Sequence, residues 1–276
     1  MPVVAVVNRK GGSGKSTLAT HLAGYCANSG LRVMLGDVDR QQSSLAWLRR
    51  RAAQALARSA PIVGWAVDTR SVLRPPVGIT HVVLDTPGGL RGLDLARVVM
   101  NADAILMPLC SSAFDRESAA ECYAELMALP RVASGRCKVA IVGMRLDART
   151  SAGTLLEQWA AQHKIPYAGA LRETQAYVRC VEQGLTLFDV PAAKVQADLA
   201  QWRPILEWLD AAWQASKRPD GAKRPTAAAP APMHPSRAPS AVREPRAMQE
   251  ASNRRAARPS LADHFGRLFA AFRSST

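Results

Sequence analysis

The sequence predicts an α/β fold in which a mostly parallel sheet is covered by helices on both faces. Short, nearly continuous apolar runs alternate with longer segments of helical periodicity along residues 1–216, as repeated β-α-β units require. Runs without polar alternation indicate strands that are buried on both faces. The first run leads into a glycine-rich loop and then a helix, and a chain of 276 residues is long enough to bury such a sheet.

The predicted strands are the apolar runs, and the predicted helices lie between them. The strands cover residues 3–7, 32–36, 62–67, 81–84, 104–108, 138–142 and 167–171. The helices cover residues 16–29, 45–56, 117–129, 154–163 and 193–215. Gly30 is expected to stop the first helix.

The helix predicted over 193–215 carries one apolar stripe, with spacings of four and three residues. Its members are Val195, Leu199, Trp202, Leu206, Leu209 and Trp213. This stripe predicts that the helix packs on the core. Pro204 lies inside the segment, and we expect it to kink the helix.

The composition changes after residue 216, which predicts three parts: a domain over 1–216, a linker over 217–259 and a terminal segment over 260–276. The last two together hold 12 Lys and Arg against 4 Asp and Glu. The linker has almost no large apolar residues, so we expect it to be disordered. The terminal segment can form a short amphipathic helix, which would need a surface to dock on. Its apolar face would consist of Leu261, Phe265, Leu268, Phe269 and Phe272.

The overall composition indicates which kind of partner and which cellular compartment to expect. The net charge of +14 favours a polyanionic partner, either nucleic acid or an anionic membrane. The five cysteines show no C-x-x-C spacing, which argues against a disulfide framework or a zinc site and favours the cytoplasm. No apolar run approaches the roughly 18 residues of a membrane span, and the first run resembles a strand rather than a leader peptide.

Residues 8–17, NRKGGSGKST, form a phosphate-binding loop between the first strand and the first helix. Its glycines allow several N–H groups to point at phosphate oxygens, and the helix N-terminus adds partial positive charge. Lys15 would reach the β- and γ-phosphates, and the Ser16 hydroxyl would bind Mg²⁺. The sequence therefore predicts ATP and Mg²⁺ as ligands. The predicted nucleotide contacts are Gly11, Gly12, Ser13, Gly14, Lys15, Ser16 and Thr17.

The loop departs from the usual pattern in two places. Position 9, where a glycine is expected, is Arg9, and a second lysine, Lys10, precedes the glycine pair. This string resembles the deviant phosphate loop of the ParA/MinD family. Further segments resemble the family in order and spacing: GDVDRQQS at 36–43, VVLDTP at 82–87, MP at 107–108 with Asp115 beyond it, and RET at 172–174 followed by GLT at 184–186.

The resemblance implies roles for individual residues of a dimerising ATPase. The lysine matching Lys10 reaches the nucleotide of a partner subunit, and the aspartate matching Asp39 orients the attacking water. Asp37 is expected to support Mg²⁺ or the local turn. Asp85 ends a buried strand, where a carboxylate suits a water-mediated contact with Mg²⁺. Lys10, Lys15 and Asp39 are thus the predicted catalytic residues, and Ser16, Asp37 and Asp85 the predicted metal site.

Family members of the ParA type also bind DNA without sequence preference, which would place this chain on the nucleoid in its ATP-bound form. A partner protein would stimulate hydrolysis. The candidate DNA contacts are Arg172, Arg179, Lys194, Arg254 and Arg255, with a further basic cluster over 49–51. Near the purine we expect Arg145 and residues 172–175.

Two alternatives stay open at this stage. One is a positioning ATPase of the MinD branch, in which the segment from Leu261 to Phe272 would lie in a membrane interface. The other is an ATP-dependent ligase of the cobyrinic-acid-synthase or dethiobiotin-synthetase kind. Such a ligase needs a polar acceptor pocket that the sequence does not reveal.

Overall fold

The structure is a computed structural model that describes residues 1–56, 59–67 and 75–216. The predicted linker over 217–259, the terminal segment over 260–276, and with them Arg254 and Arg255, lie outside the described residues. Everything below concerns the described ranges.

The described chain contains one sheet of seven parallel strands, so the predicted fold class is confirmed. The strands follow the spatial order β3-β2-β4-β1-β5-β6-β7. Their bounds are β1 Val3–Val6, β2 Val33–Asp37, β3 Ile62–Ala66, β4 His81–Asp85, β5 Ala104–Leu109, β6 Lys138–Leu146 and β7 Tyr167–Arg172. Each of the seven predicted strands is present, within a few residues at its ends.

The helices differ more from prediction than the strands do. Their bounds are α1 Lys15–Asn28, α2 Ser43–Arg51, α3 Gly92–Asn101, α4 Ala113–Ala128, α5 Pro130–Ala133, α6 Ala152–Gln162, α7 Gln175–Glu182 and α8 Gln196–Ser216, with a 3₁₀ turn at Ala192–Lys194. The prediction missed α3, α5 and α7 and extended α2 to residue 56. In α3 and α7 the apolar residues do recur at helical spacing, as Leu95, Val98 and Val99 do in α3, so the periodic signal was present and was overlooked. The helix α5 has only four residues and gives no such signal.

The core has two layers, one on each face of the sheet. Successive residues of the buried β1 strand point to opposite faces: Val4 and Val6 pack under α1, α2, α7 and α8, whereas Val3 and Ala5 pack under α3, α4, α5 and α6. Both faces are therefore covered, which explains why the central strands are apolar without alternation.

The helix α8 supplies much of the first layer. Trp202, Leu209 and Trp213 of the predicted stripe are each at most 2% exposed, so the core role expected for both tryptophans is confirmed. The helix runs without a break through Pro204. A proline inside a helix removes one backbone donor and crowds the carbonyl four residues earlier, and the burial of Trp202 and Ile205 on either side of it offsets this cost.

The strand order reverses beside β1, which lies between β4 and β5. Chains leave this point of the sheet in opposite directions, which opens a crevice at the carboxyl ends of the strands. The glycine-rich loop leaves β1 at this crevice.

Candidate nucleotide-binding site

The loop over residues 8–14 has the backbone shape that a phosphate requires. Gly12 and Gly14 have φ values of +75° and +91°, a conformation that only glycine adopts without strain. A side chain at Gly14 would also come within 2.8 Å of the Met144 methyl carbon. The loop therefore turns into α1 with free N–H groups at the helix N-terminus, where an anion is favoured.

The side chain of Lys15 folds back over this loop. Its ammonium group donates to the carbonyl of Lys10 at 2.8 Å, and burial lowers the pKa of Lys15 although the carboxylates of Asp85 and Asp39 oppose the shift. A phosphate oxygen in the loop would give this buried cation a charged partner in place of a carbonyl.

A cleft of about 910 Å³ opens beside the loop, within the size range of small-molecule sites. One wall is the phosphate loop with Ser16 and Thr17, and a second wall, the far wall, comes from the ends of β6 and β7 and from α7. The residues that line the far wall include Met144, Arg145, Leu171, Arg172, Thr174, Tyr177, Val178 and Val181.

Arg145 and residues 172–174 line this cleft, whereas Gln175 does not. Their contact with a purine stays a prediction, and the sequence reasoning missed the contribution of α7. Tyr177, Val178 and Val181 present an apolar surface that suits a flat base. Their helical spacing, directly after the RET segment, was the available signal. Arg145 has a φ of +56° and pairs with Glu173 at 2.8 Å at the rim.

The carboxyl of Asp85 is fully buried at the end of β4, close to Ser16. One oxygen accepts the hydroxyl of Ser44 at 2.6 Å, and the other has no hydrogen-bond partner. Burial raises the pKa of Asp85 to about 6, although the Ser44 and Ser16 hydroxyls lower it. A buried carboxylate oxygen without a partner, beside a hydroxyl, is a donor set that fits Mg²⁺.

The carboxylate of Asp37 is engaged by the backbone. It accepts the N–H groups of Asp39, Ser44 and Leu45 at 3.1, 2.9 and 3.1 Å, and thereby holds the turn that starts α2. This is the second of the two roles expected for it, and its support of Mg²⁺ stays a prediction.

Asp39 lies on the loop that this turn forms. It lines the same cleft as Lys15 and Ser16, and its charge raises the pKa of Lys15 against the effect of burial. It accepts the N–H of Gln41 at 3.0 Å. The predicted water-orienting residue therefore faces the phosphate loop.

Lys10, in contrast, does not line the cleft. Its ammonium group pairs with Asp115 of α4 at 2.5 Å, and its side chain is 42% exposed. Asp115 also accepts the hydroxyl of Ser112 at 2.6 Å. The two lysines of the loop thus point to different surfaces.

The predicted basic contacts separate into paired and exposed residues. Arg172 lines the cleft and is bonded to the buried Asp198 at 2.6 and 3.1 Å. Arg51 is buried and bonded to Asp189 at 2.7 and 2.8 Å, so the 49–51 cluster is not one exposed patch. Arg179 and Lys194 are exposed.

A phosphate loop at the switch point of a parallel sheet, facing buried carboxylates, defines a nucleotide-binding α/β protein. Residues 4–188 match the model of the CobQ/CobB/MinD/ParA nucleotide-binding domain, and the chain belongs to this family. No helix in the described ranges is long and apolar enough to span a bilayer.

Relatives and solved structures agree with this assignment. The chain is 31% identical over 216 residues to the maintenance of carboxysome distribution protein A of Gloeobacter kilaueensis, which covers 77% of this chain and 95% of that protein. It is 36% identical over 124 residues to the chromosome-partitioning ATPase Soj of Thermus thermophilus, 40% of this chain and 49% of that one. The ATP complex of Cyanothece McdA shares the fold, with a TM-score of 0.57 at 14% identity over 79% of this chain and 98% of that chain.

Proposed function

We propose that this chain is a ParA-type positioning ATPase that pairs with a second copy when ATP is bound, binds DNA without sequence preference, and is released when a partner protein stimulates hydrolysis. The observation that carries the proposal is the pair of loop lysines: Lys15 lies over the phosphate loop, and Lys10 points out of the cleft. A monomeric phosphate site needs only the first.

Within the cleft, each side chain has a distinct task. The loop N–H groups and Lys15 bind the phosphates and offset the charge that develops on them during transfer to water. Mg²⁺, held by Ser16 and through water by Asp85, would further neutralise that charge. Asp39 lines the same cleft and would orient the attacking water. The apolar surface of α7 would position the base.

Lys10 supplies the reason for a dimer. Its ammonium group is partly exposed and would have to leave Asp115 to reach the phosphates of a second copy. A cation delivered in this way stabilises the transition state only when both copies are closed. Hydrolysis would then remove the group that holds the copies together.

The DNA surface would consist of exposed basic residues, with Arg179 and Lys194 in the described part and Arg254 and Arg255 beyond it. Arg172 is neutralised by Asp198 and lies in the cleft, so we assign it to the nucleotide wall instead. Among the relatives, one name refers to carboxysome distribution and another to chromosome partitioning. The cargo of this chain could therefore be DNA or a protein assembly.

The test is light scattering of the Asp39→Ala protein with MgATP and with MgADP, followed by binding to non-specific duplex DNA at low and high salt. We expect a dimer with ATP only, and salt-sensitive DNA binding by that dimer only. Asp39→Ala combined with Lys10→Ala should stay monomeric, whereas the control Asp39→Ala with Lys138→Ala, which changes an exposed lysine outside the site, should dimerise.

Two results would support the alternatives. A mass that ATP does not change, with ADP release that depends on a small-molecule acceptor, would favour the ligase. Co-sedimentation with anionic liposomes that needs residues 260–276 would favour the membrane branch.

A further inference from the structure

The loop over residues 86–92, which follows β4, lies directly on the phosphate loop. The N–H of Gly89 donates to the carbonyl of Arg9 at 2.5 Å. A side chain at Gly88 would come within 3.3 Å of the Gly11 nitrogen. Pro87 and Gly88 line the nucleotide cleft, so any shift of this loop changes the part of the cleft beside the phosphate loop.

The side chain of Arg9 makes a second attachment between the same two loops, through α4. Its guanidinium group pairs with Glu125 and with Glu121, the latter at 3.0 Å. The other oxygen of Glu125 accepts the N–H of Gly92, the first residue of α3, at 2.6 Å. Glu125 therefore connects Arg9 to the far end of the 86–92 loop.

The hydrogen bond between Arg9 and Glu125 is charge-assisted, because both side chains are ionised. The guanidinium of Arg9 lowers the pKa of the Glu125 carboxyl, so both groups stay ionised at neutral pH. Charge-assisted hydrogen bonds are stronger than neutral ones and fix orientation. The ordinary loop pattern has a glycine at this position, which has no side chain to make the connection.

We propose that Arg9 is a positioning residue: through Glu125 it holds the 86–92 loop against the phosphate loop and so fixes the geometry around the transferred phosphate. Arg9 does not line the cleft and is not a catalytic residue. The inference rests on the proposed ATPase activity. Displacing groups around a reacting centre by about 1 Å can cost on the order of 100-fold in rate, so the connection acts mainly on turnover.

The first test separates turnover from binding in the full-length protein. Arg9→Met keeps the length of the side chain and removes its charge. We expect kcat for ATP hydrolysis to fall about tenfold while the Kd for ATP changes less than about threefold. Arg9→Lys should retain most of the activity, and Glu125→Gln should lower kcat as well. The double variant Arg9→Met with Glu125→Gln should lose little beyond the first change, since both act through one contact.

The matched control is Arg97→Met, because Arg97 is a surface arginine of α3 that pairs only with Asp94 at 3.1 Å among the described contacts. It should leave kcat and Kd unchanged. If Arg9→Met leaves kcat unchanged, or lowers ATP affinity in parallel with kcat, the proposal is wrong.

A second readout does not depend on activity. Hydrogen exchange of the nucleotide-free protein should be faster over residues 86–92 in Arg9→Met than in the unaltered protein, because the Gly92 amide loses its fixed acceptor. A peptide from β6 should exchange equally in both. Unchanged exchange over 86–92 would overturn the proposal. If the unaltered protein does not hydrolyse ATP, the proposed function fails, and this exchange result alone decides the role of Arg9.

Discussion

At the scale of single residues, the buried carboxyl of Asp85 combines a cost to the fold with a use in the site. When no metal ion is bound, the ionised form of this carboxyl is poorly solvated at the end of β4. Lys15 lies over the neighbouring loop, but its own charge is also partly buried. Both groups gain when a magnesium–phosphate ligand enters, so the empty site is expected to be less stable than the filled one.

This gives a prediction for Asp85→Asn. Burial raises the pKa of Asp85 to about 6, from an ordinary value of 3.8, so the folded state holds the proton more tightly than the unfolded state. Its stabilising effect is complete below about pH 4 and is lost as the pH rises through 6. At pH 7, Asp85→Asn should raise the free energy of unfolding of the nucleotide-free protein by up to about 3 kcal/mol. Urea unfolding at pH 7 and pH 4 measures the effect.

At pH 4 the difference between the two proteins should nearly vanish. Asp94→Asn, at an exposed carboxyl on α3, should change the free energy of unfolding little at either pH. Asp85→Asn should also abolish the gain in ATP affinity that Mg²⁺ gives. If Asp85→Asn changes the free energy of unfolding by the same amount at both pH values, the assignment of a buried, protonatable carboxyl is contradicted.

At the same scale, Gly14→Ala tests the shape of the loop. The new methyl group would meet Met144 within 2.8 Å and would force a non-glycine residue to a φ of +91°. We expect ATP binding, measured by calorimetry, to fall at least tenfold because the N–H groups would be displaced. Gly30→Ala, at a φ of +74° with open space around it, is the control and should leave binding unchanged.

At the scale of elements, α2 is fixed at both ends. The carboxylate of Asp37 binds its first N–H groups, and Arg51 in its last turn reaches the loop that follows α7. The Arg51 guanidinium is bonded to Asp189, whose side chain is fully buried, and lies 5.2 Å from the ring centre of Trp47. The loop that carries Asp39 is therefore attached to a helix that cannot easily move.

Removing this anchor should be costly. Arg51→Ala would leave the Asp189 carboxylate buried without its cation, although Asn28 and Thr186 still donate to it. We expect the free energy of unfolding to fall by about 3 kcal/mol. Arg49→Ala, on the exposed side of the same helix, should change it by less than about 0.5 kcal/mol. If Arg51→Ala and Arg49→Ala lower the free energy of unfolding equally in urea, the buried Arg51–Asp189 pair stabilises the fold no more than an exposed arginine does.

At the scale of the whole molecule, charge is distributed unevenly along the chain. Residues 217–276 contribute 12 of the 36 Lys and Arg but only 4 of the 22 Asp and Glu. In the described domain, several arginines are already neutralised by acidic partners. The remaining exposed cations are expected to act together on a polyanion rather than through one strong contact.

The salt dependence of DNA binding tests this. Two double variants are made in the ATP-bound Asp39→Ala background: Arg179→Ala with Lys194→Ala, and Arg254→Ala with Arg255→Ala. Each should make the negative slope of log K against log salt shallower by up to about 2 units. The control is Arg97→Ala with Arg203→Ala, two arginines that pair with acids on their own helices. A control that lowers the slope equally would indicate that total charge, not these positions, governs binding.

Much of the fold and the centre of the site could be predicted from the sequence. Seven apolar runs predicted seven strands. For the central strands the reason is burial on both faces of a parallel sheet, which demands continuous apolar residues. The edge strand β3 is apolar in sequence although none of its residues is fully buried. The phosphate loop was evident because its conformation requires glycine at fixed places and because it lies between a strand and a helix. The aspartates Asp37 and Asp85 were singled out because each ends an apolar strand, and their contact with Mg²⁺ stays a prediction.

The tertiary structure alone decided which side chains meet. The helix α7 was missed although its apolar residues recur at helical spacing, and only the fold brings that helix to the nucleotide cleft. Arg51, Arg172 and Arg179 have the same chemistry in the sequence. Only the packing of distant segments gives Arg51 and Arg172 the acidic partners Asp189 and Asp198 while Arg179 stays exposed. The contact from Arg9 through Glu125 to Gly92 likewise joins residues far apart in the chain, and no local pattern encodes it.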